Sequence, residues 1–320
     1  MKRFAALLAT LIFSAGASAQ SYPSKAVTLV VPLTIGSTAD IMSRIIGSEL
    51  AKRLAQPIVV DNRPGAGGTI GMQQVARAAP DGYTFALVST AQAAINIGLY
   101  ANPGYDPVKD FTPITVVGEV SNIMIVHPSN PAKSVRDVIA QAKAKPGELT
   151  FSSGGNGLSH HLSGVLFASM AGLNLVHVPY KGAPQGITAV MTNEVSMGFF
   201  NTPTVISQIR DGRLKALAVT SKTRTPFFPD LPTLDESGLK GYDVTVWFGF
   251  AAPRNLPAPI RDRLYNEIVD IMKDPAVREK LINQGFELLP QITPAEFGKL
   301  IQSELAKWVP IVKASGANVE

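Results

Sequence analysis

The sequence of 320 residues contains no cysteine, which excludes disulfide bonds and thiolate metal sites. Charged residues make up only 17% of the chain, the formal net charge is +5, and the Lys and Arg residues are scattered. Because no basic block is interleaved with aromatic residues, a nucleic-acid partner is not expected. Hydrophobic residues make up 46% of the chain. That share is enough for two domains of roughly 100–200 residues that fold on core burial alone.

The apolar run at the amino terminus is too short to cross a membrane. A crossing takes about 20 apolar residues, and residues 4–13 provide half that number. The run follows a basic start, Met1-Lys2-Arg3, and precedes the small-x-small pattern Ala17-Ser18-Ala19 that signal peptidase cuts. No cysteine follows that pattern, which disfavours a lipid anchor. We therefore predict that residues 1–19 are a signal peptide, cleaved near Ala19, and that the mature chain is exported.

Beyond residue 26, short β-branched runs alternate with stretches of helical periodicity, which predicts βαβ units and a mostly parallel sheet. The predicted strands are residues 27–31, 58–60, 84–88, 123–126, 149–152, 175–178, 195–199 and 214–219. The predicted helices include one that follows Gly68 and runs through Ala79 and one at residues 135–144, for which Ser134 is a good N-cap. Two further β-rich runs, residues 114–126 and 244–252, are predicted to pair as crossings between two lobes. Lobe 1 then comprises residues 20–121 and 246–320, and lobe 2 comprises residues 122–245. Two crossings form a hinge that permits closure around a ligand.

Four strand-to-helix junctions carry small or hydroxylated residues. They are Thr34-Ile35-Gly36-Ser37-Thr38, Ser153-Gly154-Gly155-Asn156-Gly157, Tyr180-Lys181-Gly182 and Phe200-Asn201-Thr202. In open α/β sheets, ligands bind at the carboxyl ends of the strands, where helix N-termini present unpaired N–H groups that suit carboxylate or phosphate. Ser and Thr are also ordinary helix caps, but four such junctions divided between two lobes favour a binding cleft.

Asp40 has two interpretations that the sequence leaves open. As an acid in the first turn of a helix, it stabilises that helix by about 0.3–1 kcal/mol. Alternatively, it faces the cleft and accepts a hydrogen bond from a ligand donor or a bound water. A bare carboxylate would repel a carboxylate ligand directly.

The motifs that suggest catalysis or cofactor binding are incomplete. Adjacent helical residues such as His160 and His161 diverge by about 100°, so no metal site is expected. Gly157-Leu158-Ser159-His160-His161 lacks the second glycine of a nucleophile elbow, although a serine hydrolase using Ser159 and His161 remains an alternative. The glycine-rich segment at residues 65–71 fails the dinucleotide pattern and is interpreted as a structural turn. We expect a non-enzyme without cofactor.

Several short motifs are spread along the chain, among them Asp61-Asn62-Arg63-Pro64-Gly65-Ala66-Gly67-Gly68, Ala79-Pro80-Asp81-Gly82-Tyr83-Thr84, Tyr105-Asp106-Pro107-Val108-Lys109-Asp110-Phe111 and Val178-Pro179-Tyr180-Lys181-Gly182. They resemble motifs of the substrate-binding receptors of tripartite tricarboxylate transporters, often called the Bug family. The resemblance covers Tyr22 to about Ala317. It implies a type II periplasmic-binding-protein fold, in which two α/β lobes are joined by two hinge strands. It also implies a periplasmic monomer that delivers a small organic carboxylate to membrane permease subunits.

The resemblance also implies which residues surround the ligand. Mapped onto this sequence, and with Asn201 added from its junction, they are Thr34, Gly36, Ser37, Thr38, Asp40, Ser89, Thr90, Ser153, Gly155, Asn156, Ser159, His161, Tyr180 and Asn201. A ligand sensor for a membrane signalling partner would use the same closure, so that function remains an alternative to transport.

Three departures from the family pattern bear on specificity. Ser37 replaces a glycine, Leu158 stands where a Ser or Thr often follows Asn-Gly, and Phe200 stands where an Asp commonly precedes the Asn. We hypothesise that the pocket has lost hydrophilic groups and gained apolar surface. Such a pocket favours a bulky or aromatic carboxylate over a small amino or hydroxy diacid.

Overall fold

Short β-branched and aromatic runs form the strands of one ten-stranded sheet. The computed structural model describes residues 22–314; the predicted signal peptide and its cleavage site near Ala19 lie outside the described residues. The strands are β1 (Val27–Val31), β2 (Ile58–Asn62), β3 (Thr84–Ser89), β4 (Phe111–Val126), β5 (Thr150–Ser153), β6 (Val176–Pro179), β7 (Met197–Asn201), β8 (Lys215–Val219), β9 (Thr245–Pro253) and β10 (Glu287–Leu288).

Helices follow most of the strands, and polar caps mark where several of them begin. They are α1 (Thr38–Leu54), α2 (Thr69–Ala76), α3 (Asn96–Leu99), α4 (Val135–Ala144), α5 (Ser159–Ala171), α6 (Ala183–Met191), α7 (Thr202–Arg210), α8 (Ala258–Lys273), α9 (Pro275–Asn283) and α10 (Pro294–Ala314). Ser37, Ser134 and Asp274 precede α1, α4 and α9, and each accepts a hydrogen bond from a backbone N–H in the first turn. None of the helices in residues 22–314 is long and apolar enough to span a bilayer.

Two helical segments differ from the sequence-based prediction. The helix predicted to run through Ala79 ends at Ala76. Ala79 precedes Pro80, and a residue that precedes proline disfavours helical conformation. Residues 91–99, to which no element is assigned from the sequence, form a π-helical turn (Ala91–Ile95) followed by α3. This segment is buried through most of its length, so it lacks the amphipathic period by which a helix is recognised in a sequence.

The sheet is mixed, and the prediction of a mostly parallel sheet is wrong. Its order is β2-β1-β3-β9-β4-β7-β5-β6, with β8 and β10 also pairing with β4. The outer groups β2-β1-β3 and β7-β5-β6 are parallel, whereas every pair that involves β4 or β9 is antiparallel. The cause is the two connecting strands, which run against each other through the middle of the sheet.

β4 is the element that joins the two halves of the molecule. Its first part pairs with β9, from Phe111 opposite Pro253 to Ser121 opposite Thr245. Its last part pairs with β7 and β8 of the other half, with Asn122 opposite Asn201. The two crossing strands predicted from the sequence are therefore paired in the structure.

Separate apolar cores lie in the two halves. One is built from β1, β3, β9, α1 and α8 and includes Phe85 and Phe250. Another includes Phe151, Phe167 and Phe199 of the second half. Ala91, Ala94, Ile95, Leu99, Trp308 and Val312, all placed in lobe 1 by the sequence prediction, also pack into this second core. The lobe boundaries at residues 121 and 246 stay a prediction.

Candidate functional site

A cavity of about 520 Å³ lies between the two halves, at the ends of the strands where the chain turns into helices. The sequence-predicted residues that line it are Thr34, Ser37, Thr38, Gly155, Asn156, Tyr180 and Asn201. They come from the loops after β1, β5, β6 and β7, which meet because the carboxyl ends of parallel strands share one edge of their sheet.

Four helix N-termini face this cavity. Ser37 caps α1 by accepting a hydrogen bond from the Asp40 N–H, at 3.3 Å. The residues that precede α5, α6 and α7 are Leu158, Gly182 and Asn201, and none of these side chains accepts a capping hydrogen bond. All four capping positions line the cavity. Three uncapped N-termini supply partial positive charge and, except at Pro184 and Pro203, backbone N–H donors, which suits an anionic ligand.

Asp40 organises the first loop instead of lining the cavity. Its carboxylate accepts hydrogen bonds from the Gly36 N–H at 3.0 Å and from Arg44 Nε at 3.1 Å. Burial alone would raise the pKa of this carboxyl, but the hydrogen bonds from Arg44 and Gly36 outweigh burial and lower it. The carboxylate thus stays charged, and the Gly36 N–H that donates to it is not available to a ligand. Neither Asp40 nor Gly36 lines the cavity.

Ser153 and His161 lie behind the second loop. The Ser153 hydroxyl accepts from the Gly155 N–H at 3.1 Å and lies 2.7 Å from His177 Nε2. The His161 ring accepts from the Gly157 N–H at Nδ1, over a long 3.4 Å. Both side chains are buried and hold the loop that presents Gly155 and Asn156 to the cavity.

Asn201 is the centre of a polar network between the halves. Its Oδ1 accepts from Thr38 Oγ1 at 3.0 Å and lies 3.3 Å from His160 Nε2. Its Nδ2 donates to Asn122 Oδ1 and, at 3.5 Å, to Ser159 Oγ. Ser159 therefore bonds to Asn201 and not to His161, so the pairing that a serine hydrolase requires is not formed.

The other three predicted positions have partners away from the ligand space. Ser89 Oγ donates to Gln92 Oε1 at 2.7 Å, and Thr90 Oγ1 accepts from the Trp247 N–H at 3.1 Å. Neither residue lines the cavity. Tyr180 does line it, but the hydroxyl of Tyr180 donates to Glu194 Oε1 at 2.7 Å, which leaves the ring as the part available to a ligand.

The loop between β2 and α2 also lines the cavity, from Pro64 to Gly68. The sequence interpretation as a structural turn is incomplete. Gly67 and Gly68 adopt positive φ, as a tight turn requires. The same loop also faces the second half, because a Cβ at Gly67 would lie 3.0 Å from the Asn156 carbonyl oxygen. Gln92 and Asn96 hold the Gly67 carbonyl in place, each at 2.9 Å.

The cavity has an apolar wall. Leu33, Tyr100 and Leu158 line it and pack in or against one hydrophobic cluster. The sequence singled out Leu158 but gave no signal for Tyr100, which lies at the end of the unpredicted α3. Among the lining residues of the described chain, only Lys181 carries a charge. In residues 22–314, no group of three or more His, Cys, Asp or Glu side chains is placed to hold a metal ion.

Comparison with known proteins gives consistent matches along the whole chain. A family model described as "Tripartite tricarboxylate transporter family receptor" matches residues 42–317. Protein BugT of Bordetella pertussis is 34% identical over 327 aligned residues, which cover 100% of this chain and 99% of BugT.

Solved structures match in fold as well as in sequence. R. palustris Rpa4515 with adipate has a TM-score of 0.89 at 35% identity, covering 93% of this chain and 100% of that chain. MatC from Rhodopseudomonas palustris with bound malate has a TM-score of 0.84 at 29% identity, covering 91% of this chain and 100% of that chain. These matches confirm the predicted α/β fold class of two lobes.

Proposed function

We propose that this chain, which belongs to the tripartite tricarboxylate transporter receptor family, captures an organic carboxylate in the periplasm and delivers it to a membrane permease. The family is one of substrate-binding receptors, so binding and release are the whole activity, and no reaction is involved. Closure of the two lobes around the cavity encloses the ligand, and opening at the permease releases it.

The observation that carries the proposal is the convergence of uncapped helix N-termini on one cavity. The backbone N–H groups that begin α5, α6 and α7 have no capping side chain. Thr38 and the Lys181 ammonium lie on the same cavity. A carboxylate placed among them would receive several charge-assisted hydrogen bonds, each about twice as strong as a neutral one.

The apolar wall narrows the class of carboxylate. Leu33, Tyr100 and Leu158 offer no charged group, and the one cation is the exposed Lys181. We infer that the ligand carries an apolar body, aliphatic or aromatic, next to its carboxylate. Of the two ligands named for the similar structures, adipate has an apolar middle, whereas malate carries a hydroxyl group next to one of its carboxylates.

The test is a thermal-shift screen followed by calorimetry. The panel contains adipate, malate, citrate, benzoate, hydroxybenzoates and the methyl ester of each monoacid. A true ligand at about 100 times its Kd stabilises the folded protein by about 2.7 kcal/mol. We expect a shift with adipate or aromatic acids and none with the esters, which lack the charge. Tight binding confined to malate and citrate would contradict the apolar-bodied ligand, and no shift with any acid would contradict carboxylate binding.

Delivery to a permease is tested separately in cells. Deletion of the gene should abolish uptake of the labelled acid that binds the purified protein. A normal uptake rate with a lost transcriptional response to that acid would instead identify a sensor.

A further inference from the structure

Three flat rings are stacked beneath the loop of residues 153–157. The rings of Phe151 and His177 lie 4.8 Å apart at an interplanar angle of 23°. The rings of His177 and His161 lie 4.2 Å apart at 20°. The stack connects β5, β6 and α5 directly behind the loop whose residues Gly155 and Asn156 line the cavity.

Each imidazole of the stack holds one end of the loop. His177 Nε2 lies 2.7 Å from Ser153 Oγ, and the same hydroxyl bonds both the N–H and the carbonyl of Gly155. At the other end, the Gly157 N–H donates to His161 Nδ1. The loop shape therefore depends on ring nitrogens that are not part of the cavity wall.

The contact at Gly157 requires an uncharged His161 ring. The Ser153 hydroxyl donates to the Gly155 carbonyl and accepts from His177 Nε2, a contact that either charge state of His177 can form. His161 Nδ1 accepts a hydrogen bond from the Gly157 N–H, so this nitrogen must carry no proton. A proton there would set two N–H donors against each other and charge a ring stacked on a second imidazole. Burial lowers the pKa of His161 to about 4, and burial with the neighbouring His161 lowers the pKa of His177 to about 3.

Within residues 22–314, no carboxylate faces the stack closely enough to affect either ring. The strands and helices packed around it are β5, β6, β7, α5 and α6, and the only other titratable side chain on these elements is His160. Tyr100 and Tyr180, which approach the loop from its far side, stay uncharged in acid. Protonation of the stack is therefore not relieved by a nearby negative charge.

We propose that His161 and His177 are positioning residues that hold the 153–157 loop in its ligand-binding shape only while the His161 ring is uncharged, so that acid weakens ligand binding. The proposal rests on the ligand-binding function assigned to this cavity. It makes affinity depend on pH through residues that do not touch the ligand. Affinity is full above the pKa of the His161 ring in the free protein and falls as pH drops through it, because bound ligand resists the loop shift.

The experiment compares matched, non-titrating variants. His161→Asn keeps an acceptor near the position of Nδ1, and His177→Gln keeps a donor near Nε2. His161→Phe keeps the ring stack and removes the acceptor. His127→Gln is the control, because His127 bonds only within its own surface turn, to Ser129. Adipate affinity is measured by calorimetry from about pH 7 to pH 4, and ¹⁵N spectra of the ligand-free proteins follow the Gly155 and Gly157 amides over the same range.

We expect wild type and His127→Gln to lose about twofold more adipate affinity than His161→Asn between these limits, because a ring with a pKa of about 4 is half-protonated at pH 4. Protonation of adipate itself cancels in that comparison. Better binding by His161→Phe than by His161→Asn at neutral pH would show a packing role and overturn the proposal. Parallel loss in wild type and His161→Asn would also overturn it.

The ¹⁵N spectra decide the loop mechanism even if adipate does not bind, a result that would count against the proposed ligand alone. Glycine amide shifts that follow the His161 titration support the proposal, and shifts that ignore it overturn it. If wild type unfolds above pH 4, survival of the His161→Asn/His177→Gln protein supports the same protonation, whereas unfolding of both at one pH overturns it.

Discussion

Adding a single methyl group at Gly182 should hold the two lobes apart. Gly182 precedes α6 and faces Thr34 of the first loop across the cavity. A Cβ at Gly182 would lie 2.5 Å from Thr34 Oγ1, 2.8 Å from its Cγ2 and 3.1 Å from its Cβ. The φ and ψ of Gly182 are both 162°, an extended conformation that alanine adopts freely. The obstacle to Gly182→Ala is therefore the opposite lobe and not the backbone.

Rotation of Thr34 does not relieve this clash. Thr34 is β-branched, so two of the three staggered positions on its Cβ are always filled by heavy atoms. Because both filled positions now approach Gly182, any rotation leaves at least one of them occupied. Overpacking of this kind costs about 1–3 kcal/mol. If that cost falls on the closed form, the affinity for the ligand drops by about 5- to 150-fold.

Calorimetry on the acid that gives the largest thermal shift measures this loss, and small-angle scattering measures closure. Thr34→Ala alone should bind within a few-fold of wild type, and Gly182→Ala/Thr34→Ala should regain most of the affinity, because only the 3.1 Å approach remains. Alanine also caps α6 less well than glycine, but a capping loss would persist in the double variant. Unchanged affinity in Gly182→Ala, or no recovery in the double variant, would refute the steric reasoning.

Three further predictions concern single side chains of the site. Leu158→Ser should lower affinity for adipate or benzoate relative to malate by about 5- to 30-fold, as about 1–2 kcal/mol of apolar contact is lost; calorimetry on both ligand types gives the ratio, and an unchanged ratio would exclude Leu158 from specificity. Tyr180→Phe should change the affinity less than about twofold, because the hydroxyl is bonded to Glu194 and a ligand cannot use it without losing about 1 kcal/mol; a tenfold loss would show direct ligation. Asp40→Asn should lower the melting temperature at pH 7 by about 2 °C, equivalent to about 1 kcal/mol, since its partner Arg44 is half-exposed. The pKa of Asp40 is lowered in the folded protein, so this difference should be lost as pH falls below the usual aspartate range; a difference that persisted in acid would contradict the charge argument.

Local sequence pattern was sufficient for most elements of the fold. The strand β1 and the helix α4 lie where β-branched runs and a Ser134 cap predict them. The two crossing strands were also predicted, because residues 114–126 and 244–252 are long β-rich runs. The direction of strand pairing was not predictable from local pattern. A strand in a parallel sheet and a strand at the centre of this mixed sheet are both buried on both faces, so their sequences look alike.

Local sequence places several site residues at the sheet edge, but it does not determine which of their side chains face the ligand. Thr38 begins the helix that follows β1, and Gly155 lies between β5 and α5, so local sequence suffices to put them at the sheet edge. Whether a side chain then faces the ligand depends on which hydrogen-bond partners compete for it. The Asp40 carboxylate accepts hydrogen bonds from Gly36 and Arg44, and the Tyr180 hydroxyl donates to Glu194. The junction motifs predict neither set of partners.

Tyr100 and His160 illustrate the opposite case, residues without a motif that the fold brings to the cavity. Tyr100 reaches the cavity because the buried segment before it packs into the core of the second half. His160 reaches the cavity because Asn201, 41 residues away, accepts a hydrogen bond from its ring. The junction loops therefore place the cavity at the sheet edge, and Leu158 and Tyr100 form part of its apolar wall, from the loop after β5 and from the end of α3. Under the proposed function, these two side chains are a better guide to the ligand than the four strand-to-helix junctions.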